Sequence, residues 1–347
     1  MKNILVTGGC GFIGTNFIRY LFCESDFSGR VINVDSITYA GNPENLKDIE
    51  KNFHKRYIFV KADICDRKSI SDMFKYYNID TVCHFAAESH VDRSIVSPDA
   101  FVQTNIMGTF NLLETARENQ NNLELFHHIS TDEVFGSLDD EGYFTEKTSY
   151  KPNSPYSASK AGSDHLVRAY HKTYNLPVTI SNCSNNYGPY QFPEKLIPLI
   201  ILNAKEKKPL PVYGDGSNIR DWLYVRDHCT AIWKIMKNGQ RGETYNIGGE
   251  TELKNIRLVE MLCDIIDKNS KTENLARDLI IFVKDRPGHD RRYAIDCSKI
   301  KNDLDWLPEE SFETGIEKTV AWYFNNPGWV SRVKSGEYRS WIKRQYT

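Results

Sequence analysis

Short apolar runs alternate with helix-spaced apolar positions through the first half of the chain. Runs at 3–7, 30–35, 57–61, 80–85, 125–129 and 178–183 are short and mostly apolar, and each reads as a buried strand. Between them, Phe17, Ile18, Leu21 and Phe22 fall on one helical face, and 67–77, 98–119 and 156–174 read as further helices. Strand–helix alternation predicts an α/β fold built on a doubly wound parallel sheet, with Val178–Cys183 as its sixth strand. The pattern changes after Cys183. Residues 185–189 read as a turn, and 194–198 open a helix. Residues 211–216 and 220–222 read as short strands around a tight turn, with helices at 227–237, 255–267 and 312–325. The expected division is a Rossmann-type portion over 1–184 and a smaller mixed α/β, substrate-holding portion over 185–347, with crossings back to the sheet allowed for.

The first strand meets glycines at once, in Gly8-Gly9-Cys10-Gly11-Phe12-Ile13-Gly14, and a helix follows. Glycine at such a turn lets the backbone approach a pyrophosphate, whose charge then sits at the helix N-terminus. The second strand ends in Asp35, 21 residues past Gly14, where a carboxylate can accept from an adenosine ribose. The following Ser36-Ile37 offers no cation for a 2′-phosphate, so NAD is expected over NADP. Ala86 and Ala87 after the fourth strand suit close approach of a cofactor. At the end of the fifth strand stands Ser130-Thr131-Asp132-Glu133. If extended geometry persists there, the two carboxyls diverge and reach different atoms of one substrate. One could donate a proton while the other removes one. A solvated acidic turn would look the same in isolation. Tyr156 and Lys160 are four residues apart on one helical face, where an ammonium is expected to lower the phenol's pKa.

Composition narrows the class. With 347 residues and 40% hydrophobic residues, a large core is expected, and a net charge of −2 gives no electrostatic case for nucleic acid or an anionic membrane. The eight cysteines form no CxxC pair or ligand cluster, so no metal and a reducing cytoplasm are expected. No signal-peptide pattern or membrane-length apolar run is present. The basic tail of Arg339, Lys343 and Arg344 reads as a solvated terminus.

Taken together, these motifs resemble the extended short-chain dehydrogenases/reductases that act on nucleotide sugars, and within them the 4,6-dehydratases. The resemblance spans almost the whole chain. Its specific marks are Ser130–Gly136, Ala86–Ser94, Asn185–Leu196 and Arg286–Asp290; related sugar epimerases lack the Asp-Glu pair. Phe135 stands where the family more often has Tyr, and Cys10 where a small Ala is usual. The resemblance implies dehydration of dTDP-glucose by internal hydride transfer from C4 to C6 through tightly bound NAD. Tyr156 would be the base at the C4 hydroxyl, with Lys160 and Thr131 beside it. Asp132 would protonate the leaving C6 hydroxyl, and Glu133 would take the C5 proton. Gly8, Gly11, Phe12, Ile13, Gly14, Asp35, Ser36, Thr38, Asp63, Ile64, Ala86, Ala87, Ser89, Thr104, Tyr156, Lys160 and Asn186 would hold NAD. The nucleotide sugar would lie against His90, Thr131, Asn185, Lys195, Leu196, Pro211, Val212, Tyr213, Arg220, Asn255, Asp285, Arg286, Pro287, Gly288 and His289. Arg220, Arg286 and Lys195 suit a diphosphate. The resemblance further implies a homodimer through the two long helices. Rival readings are a 4-epimerase, a dehydratase of a UDP, CDP or GDP sugar, and a non-catalytic dinucleotide sensor.

Overall fold

The computed structural model describes residues 1–270 and 275–334. Its strands are β1 (Asn3–Thr7), β2 (Arg30–Asp35), β3 (Tyr57–Lys61), β4 (Thr81–His84), β5 (Leu125–Thr131) and β6 (Val178–Cys183), then β7 (Asn185–Tyr187), β8 (Leu210–Tyr213), β9 (Ile219–Tyr224), β10 (Thr244–Ile247), β11 (Glu252–Lys254) and β12 (Ile280–Val283). Seven of these form one parallel sheet in the order β10-β6-β5-β4-β1-β2-β3. Strand order reverses between β1 and β4, and such a switch point opens a crevice at the carboxyl ends of the strands. β5 is buried along its whole length and β6 likewise, as expected of strands covered by helices on both faces.

The seventh strand departs from the sequence reading. Thr244–Ile247 is only four residues long and returns from the second half of the chain to pair with β6. The helix Val225–Asn238 also returns, and its Val225, Cys229 and Ile232 share one apolar cluster with Phe17 and Leu21. Asn185–Tyr187, read as a turn, is a strand that pairs with β9. β8 and β9 do not pair with each other: β8 joins β12 and β9 joins β7 and β11. The expected hairpin is absent because the two strands find partners elsewhere in the chain.

Two helices carry the site. The first runs Pro155–Tyr174. Ser154 caps it reciprocally with Ser157, Pro155 occupies its first turn, and Asn175 ends it in the left-handed region. The second, expected to run unbroken over 98–119, is α-helical at Pro98–Phe101 and Thr109–Glu118 but widens to π geometry over Val102–Gly108. Such widening recurs at functional sites. Here it sets Asn105 between neighbours. Its amide accepts from the backbone N–H of Glu88 at 2.8 Å and donates to the Ser159 hydroxyl at 2.8 Å. Arg339, Lys343 and Arg344 lie outside the described residues.

Candidate active site

The glycine loop is tight for steric reasons. A Cβ on Gly14 would stand 2.4 Å from the carbonyl oxygen of Gly8 and 2.8 Å from the Cα of Gly9, all backbone. Gly8 has φ +70°, and a Cβ there would lie 2.7 Å from Ala86. Asp35 fixes the same loop. Its carboxylate accepts from the backbone N–H groups of Cys10 at 2.9 Å and Ile37 at 2.8 Å. Burial raises its pKa while those two bonds oppose the rise. A cleft of about 340 Å³ opens above this loop. Every residue assigned to the cofactor lines it: Gly8, Gly11, Phe12, Ile13, Gly14, Asp35, Ser36, Thr38, Asp63, Ile64, Ala86, Ala87, Ser89, Thr104, Tyr156, Lys160 and Asn186. A cradle that one methyl group would fill, with the Asp35 carboxylate bonded to its loop, fits a dinucleotide.

Thr131, Asp132 and Glu133 line the far end of the same cleft. The extended geometry expected there is not kept: β5 ends at Thr131, and Asp132–Phe135 turns into a 3₁₀ helix capped by the Thr131 hydroxyl, which accepts from Glu133 N–H. The turn still separates the two carboxyls. Asp132 is 1% exposed and one of its oxygens has no hydrogen-bond partner. Burial raises its pKa well above the usual carboxylate range, Glu133 and Asp221 add to the rise, and Arg220 opposes it. Glu133 is half-buried and also raised by burial, but Lys195, Arg286 and Arg220 all pull it down. Burial thus raises both carboxyls, Asp132 well above the usual range and Glu133 less, and neighbouring carboxyls raised to different extents fit an acid and a base.

Tyr156 differs from expectation. Its phenol is pushed well up, first by burial and then by Glu133, with the Thr131 hydroxyl opposing. Lys160 is turned toward the strand: its ammonium donates to the Ile129 carbonyl at 2.7 Å and stands 3.4 Å from His128 Nε2. The cation therefore answers a backbone carbonyl before it answers the phenol, and burial prevails in the phenol's titration.

A second cavity, of about 170 Å³, holds His90, Asn185, Lys195, Leu196, Pro211, Val212, Tyr213, Arg220, Asn255, Arg286, Gly288 and His289. Glu133, Asn185, Asn186, Gln191, Glu194 and Lys195 line both cavities, so the two are continuous. Asp285 and Pro287 are not on the cavity wall. Asp285 stands behind it, 2.6 Å from His289 Nδ1. The cations are held by neighbours that sequence reasoning passed over. Arg286 meets Asp92 at 2.8 Å. Arg220 donates to the carbonyls of Ile219 and Asp290 and lies over the Tyr293 ring at 4.3 Å. Asp92 and Glu194 stood inside motifs already singled out, each two residues or fewer from a chosen His or Lys. Tyr293 had no local signal.

Residues 5–319 match the family model described as GDP-mannose 4,6 dehydratase. The chain is 54% identical to dTDP-glucose 4,6-dehydratase 1 of Escherichia coli K12, over 99% of this chain and 98% of that one. The chain belongs to the dTDP-glucose 4,6-dehydratase family of extended short-chain dehydrogenases/reductases. A dTDP-glucose 4,6-dehydratase of Neisseria meningitidis is likewise 54% identical over 98% of both chains. The crystal structure of the family's DesIV from Streptomyces venezuelae, with NAD bound, superposes with a TM-score of 0.90 at 44% identity, covering 96% of this chain and all of that one. UDP-glucose 4-epimerase of Thermotoga maritima shares the fold at greater distance, with TM-score 0.83 and 27% identity over 94% and 99%. The family frame therefore favours the dehydratase reading over the epimerase one.

Proposed function

We propose that this protein is an NAD-dependent lyase that converts dTDP-glucose to dTDP-4-keto-6-deoxyglucose and water. The observation that carries the reading is the carboxyl pair at the cofactor cleft: a buried Asp132 raised well above the usual carboxylate range, next to a Glu133 that lines both cavities and whose smaller rise is opposed by three cations. An epimerase has no use for such a pair, and a sensor has no use for Tyr156 and Lys160.

Bound NAD supplies the acceptor of the C4 hydride and its donor at C6. Tyr156, as its phenolate, takes the proton of the C4 hydroxyl, with the Thr131 hydroxyl holding that oxygen; Lys160 and the positive charge of bound NAD would favour that phenolate against the burial that raises the phenol. The C4 ketone acidifies the neighbouring C5–H, and Glu133 removes that proton. Asp132 gives its proton to the C6 oxygen, which leaves as water. As C6 receives its hydride, C5 regains a proton from protonated Glu133. General acid and base steps are each worth roughly 10²–10⁴ in rate. Asp35 and the glycine loop hold the dinucleotide. Arg220, Arg286 and Lys195 sit where a nucleoside diphosphate's charge would be met. The test is deuterium placed at C4 of dTDP-glucose. The label is expected at C6 of the product without added cofactor, and product formed with the label lost to solvent would overturn the reading.

The protein works as a homodimer. Supporting this, Ile95, Val96, Val102 and Met107 stand exposed along 91–108, with Val96 70% accessible. Replacing Val102→Asp together with Val96→Asp is expected to convert a dimer to monomer by analytical ultracentrifugation. An unchanged sedimentation coefficient would rule out this face.

A further inference from the structure

Beneath the site lies a buried cluster that no step above uses. Asp164 is wholly buried in the helix Pro155–Tyr174, one turn beyond Lys160. Its carboxylate accepts from the Ser130 hydroxyl at 2.7 Å and the Tyr150 hydroxyl at 2.8 Å, and lies 3.1 Å from His128 Nε2. That same imidazole nitrogen is 3.4 Å from the Lys160 ammonium. An isolated ammonium in a dry interior loses its proton, and an isolated carboxylate gains one; an opposite charge nearby keeps each charged. The imidazole between them cannot be the cation. Burial, with the Lys160 charge beside it, pushes its pKa down to about 4, so it is neutral, and its Nδ1 is buried without a partner. We propose that Asp164, reaching through His128, is the counter-charge that keeps Lys160 protonated beside Tyr156, and so is a positioning residue for the reaction.

The surroundings are consistent with this sign. Facing Lys160 are His84 on β4, His128 on β5, Cys183 on β6 and Tyr156 on its own helix; burial lowers the two imidazoles and raises the thiol and the phenol, so each is pushed toward its neutral form. Burial lowers the Lys160 pKa, and Asp164 is the first group opposing that fall. Asp164 itself is held low despite burial, by His128, Lys160 and Ser130. Arg168 approaches the cluster through Tyr150, donating to its hydroxyl at 2.6 Å, and its charge also acts on His128, after that of Lys160.

The inference rests on Tyr156 and Lys160 as base and neighbouring cation, so the test reads the lysine directly as well as through turnover. Protein labelled at lysine Cε is titrated by NMR, with Lys160→Arg identifying the resonance. In Asp164→Asn the Lys160 midpoint is expected to fall by about one to two pH units. The alkaline limb of the kcat/KM profile for dTDP-glucose should move down with it. Tyr150→Phe cuts the same cluster but leaves the charge, and should leave both where they were. If Lys160 titrates alike in wild type and Asp164→Asn, Asp164 is only a strut and the proposal is overturned, however far kcat has fallen. If Asp164→Asn does not fold, the wild-type spectrum decides: a protonated Lys160 at neutral pH supports the counter-charge and a neutral amine there overturns it. Failure of wild type to turn over the sugar would sink the functional reading and leave the NMR result standing.

Discussion

Asp132→Asn separates the two halves of the reaction. The amide has the shape of the carboxyl and keeps an oxygen for the Thr131 hydroxyl, which donates to Asp132 Oδ1 at 3.3 Å. It has no acidic proton to give. Asp132 is 1% exposed, so bulk water cannot stand in for it at the C6 oxygen. The loss should therefore lie toward the upper end of what a general acid contributes, about 10³–10⁴ in the dehydration step. At about 1.4 kcal/mol per tenfold, that is roughly 4–5.5 kcal/mol of transition-state stabilisation. Oxidation at C4 draws on Tyr156 and Thr131 and should survive within a few-fold.

The assay is a single turnover of enzyme-bound NAD with dTDP-glucose, followed in two channels. Reduced cofactor is read by its absorbance, and loss of water by quenching and mass spectrometry. Wild type should show reduced cofactor only fleetingly. The variant should accumulate it, because the hydride taken at C4 cannot pass on to C6 until C6 loses its oxygen. Dehydration at the wild-type rate would refute the assignment. So would complete loss of cofactor reduction in a variant that still binds sugar and NAD normally, since Asp132 would then belong to the first step.

The same substitution has a signed effect on stability. A carboxyl held up in the fold favours the folded state below the ordinary carboxylate pKa, and that advantage is lost as pH rises through the folded value. Asparagine has no such loss, so the Tm of Asp132→Asn relative to wild type should climb from acid to neutral pH; a flat difference in thermal melts across that range would remove the buried-acid argument. Gly14→Ala places a methyl against the backbone of Gly8 and Gly9, which no rotamer relieves. It should cost about 1–3 kcal/mol in denaturant melts and strip NAD from the purified protein, and a variant that retains both would show that the loop relaxes.

Much of this was readable along the chain, and the reason is local. A parallel strand, its glycine turn and the next helix are consecutive in sequence, so Thr7 to Phe22 announces itself, as does Asp35 at the next strand end. Tyr156 and Lys160 share a helix whose start is written in Ser154, Pro155 and Ser157. What stayed hidden depends on partners far away in sequence. Thr244–Ile247 is too short to signal a core strand until β6 offers it an edge. The π turn at Val102–Gly108 follows from packing across to Glu88 and Ser159, and no residue type there demands it. Tyr156's phenol was expected to be lowered because Lys160 is near in sequence; it is raised by burial and then by Glu133, while the ammonium is turned to Ile129 and His128.

The Asp132–Glu133 pair is the sharpest case. Two carboxyls one peptide apart are chemically alike in the sequence, and the local 3₁₀ turn only makes them diverge. On the proposed roles, what would make one an acid and the other a base is which distant groups each meets. Burial, Glu133 and Asp221 raise Asp132 against Arg220 alone among the cations, while Lys195, Arg286 and Arg220 together hold back the rise at Glu133. The roles are thus a property of the second half of the chain imposed on a dipeptide in the first. It follows that exchanging the pair, Asp132→Glu with Glu133→Asp, should not exchange the roles: position 132 should remain the proton donor and position 133 the acceptor, at reduced rate. Retention of C4 oxidation with slowed dehydration and an unchanged order of the two titrations would support that view. A reversal of which carboxyl titrates first would show that the side chains themselves, and not the cavity around them, decide the chemistry.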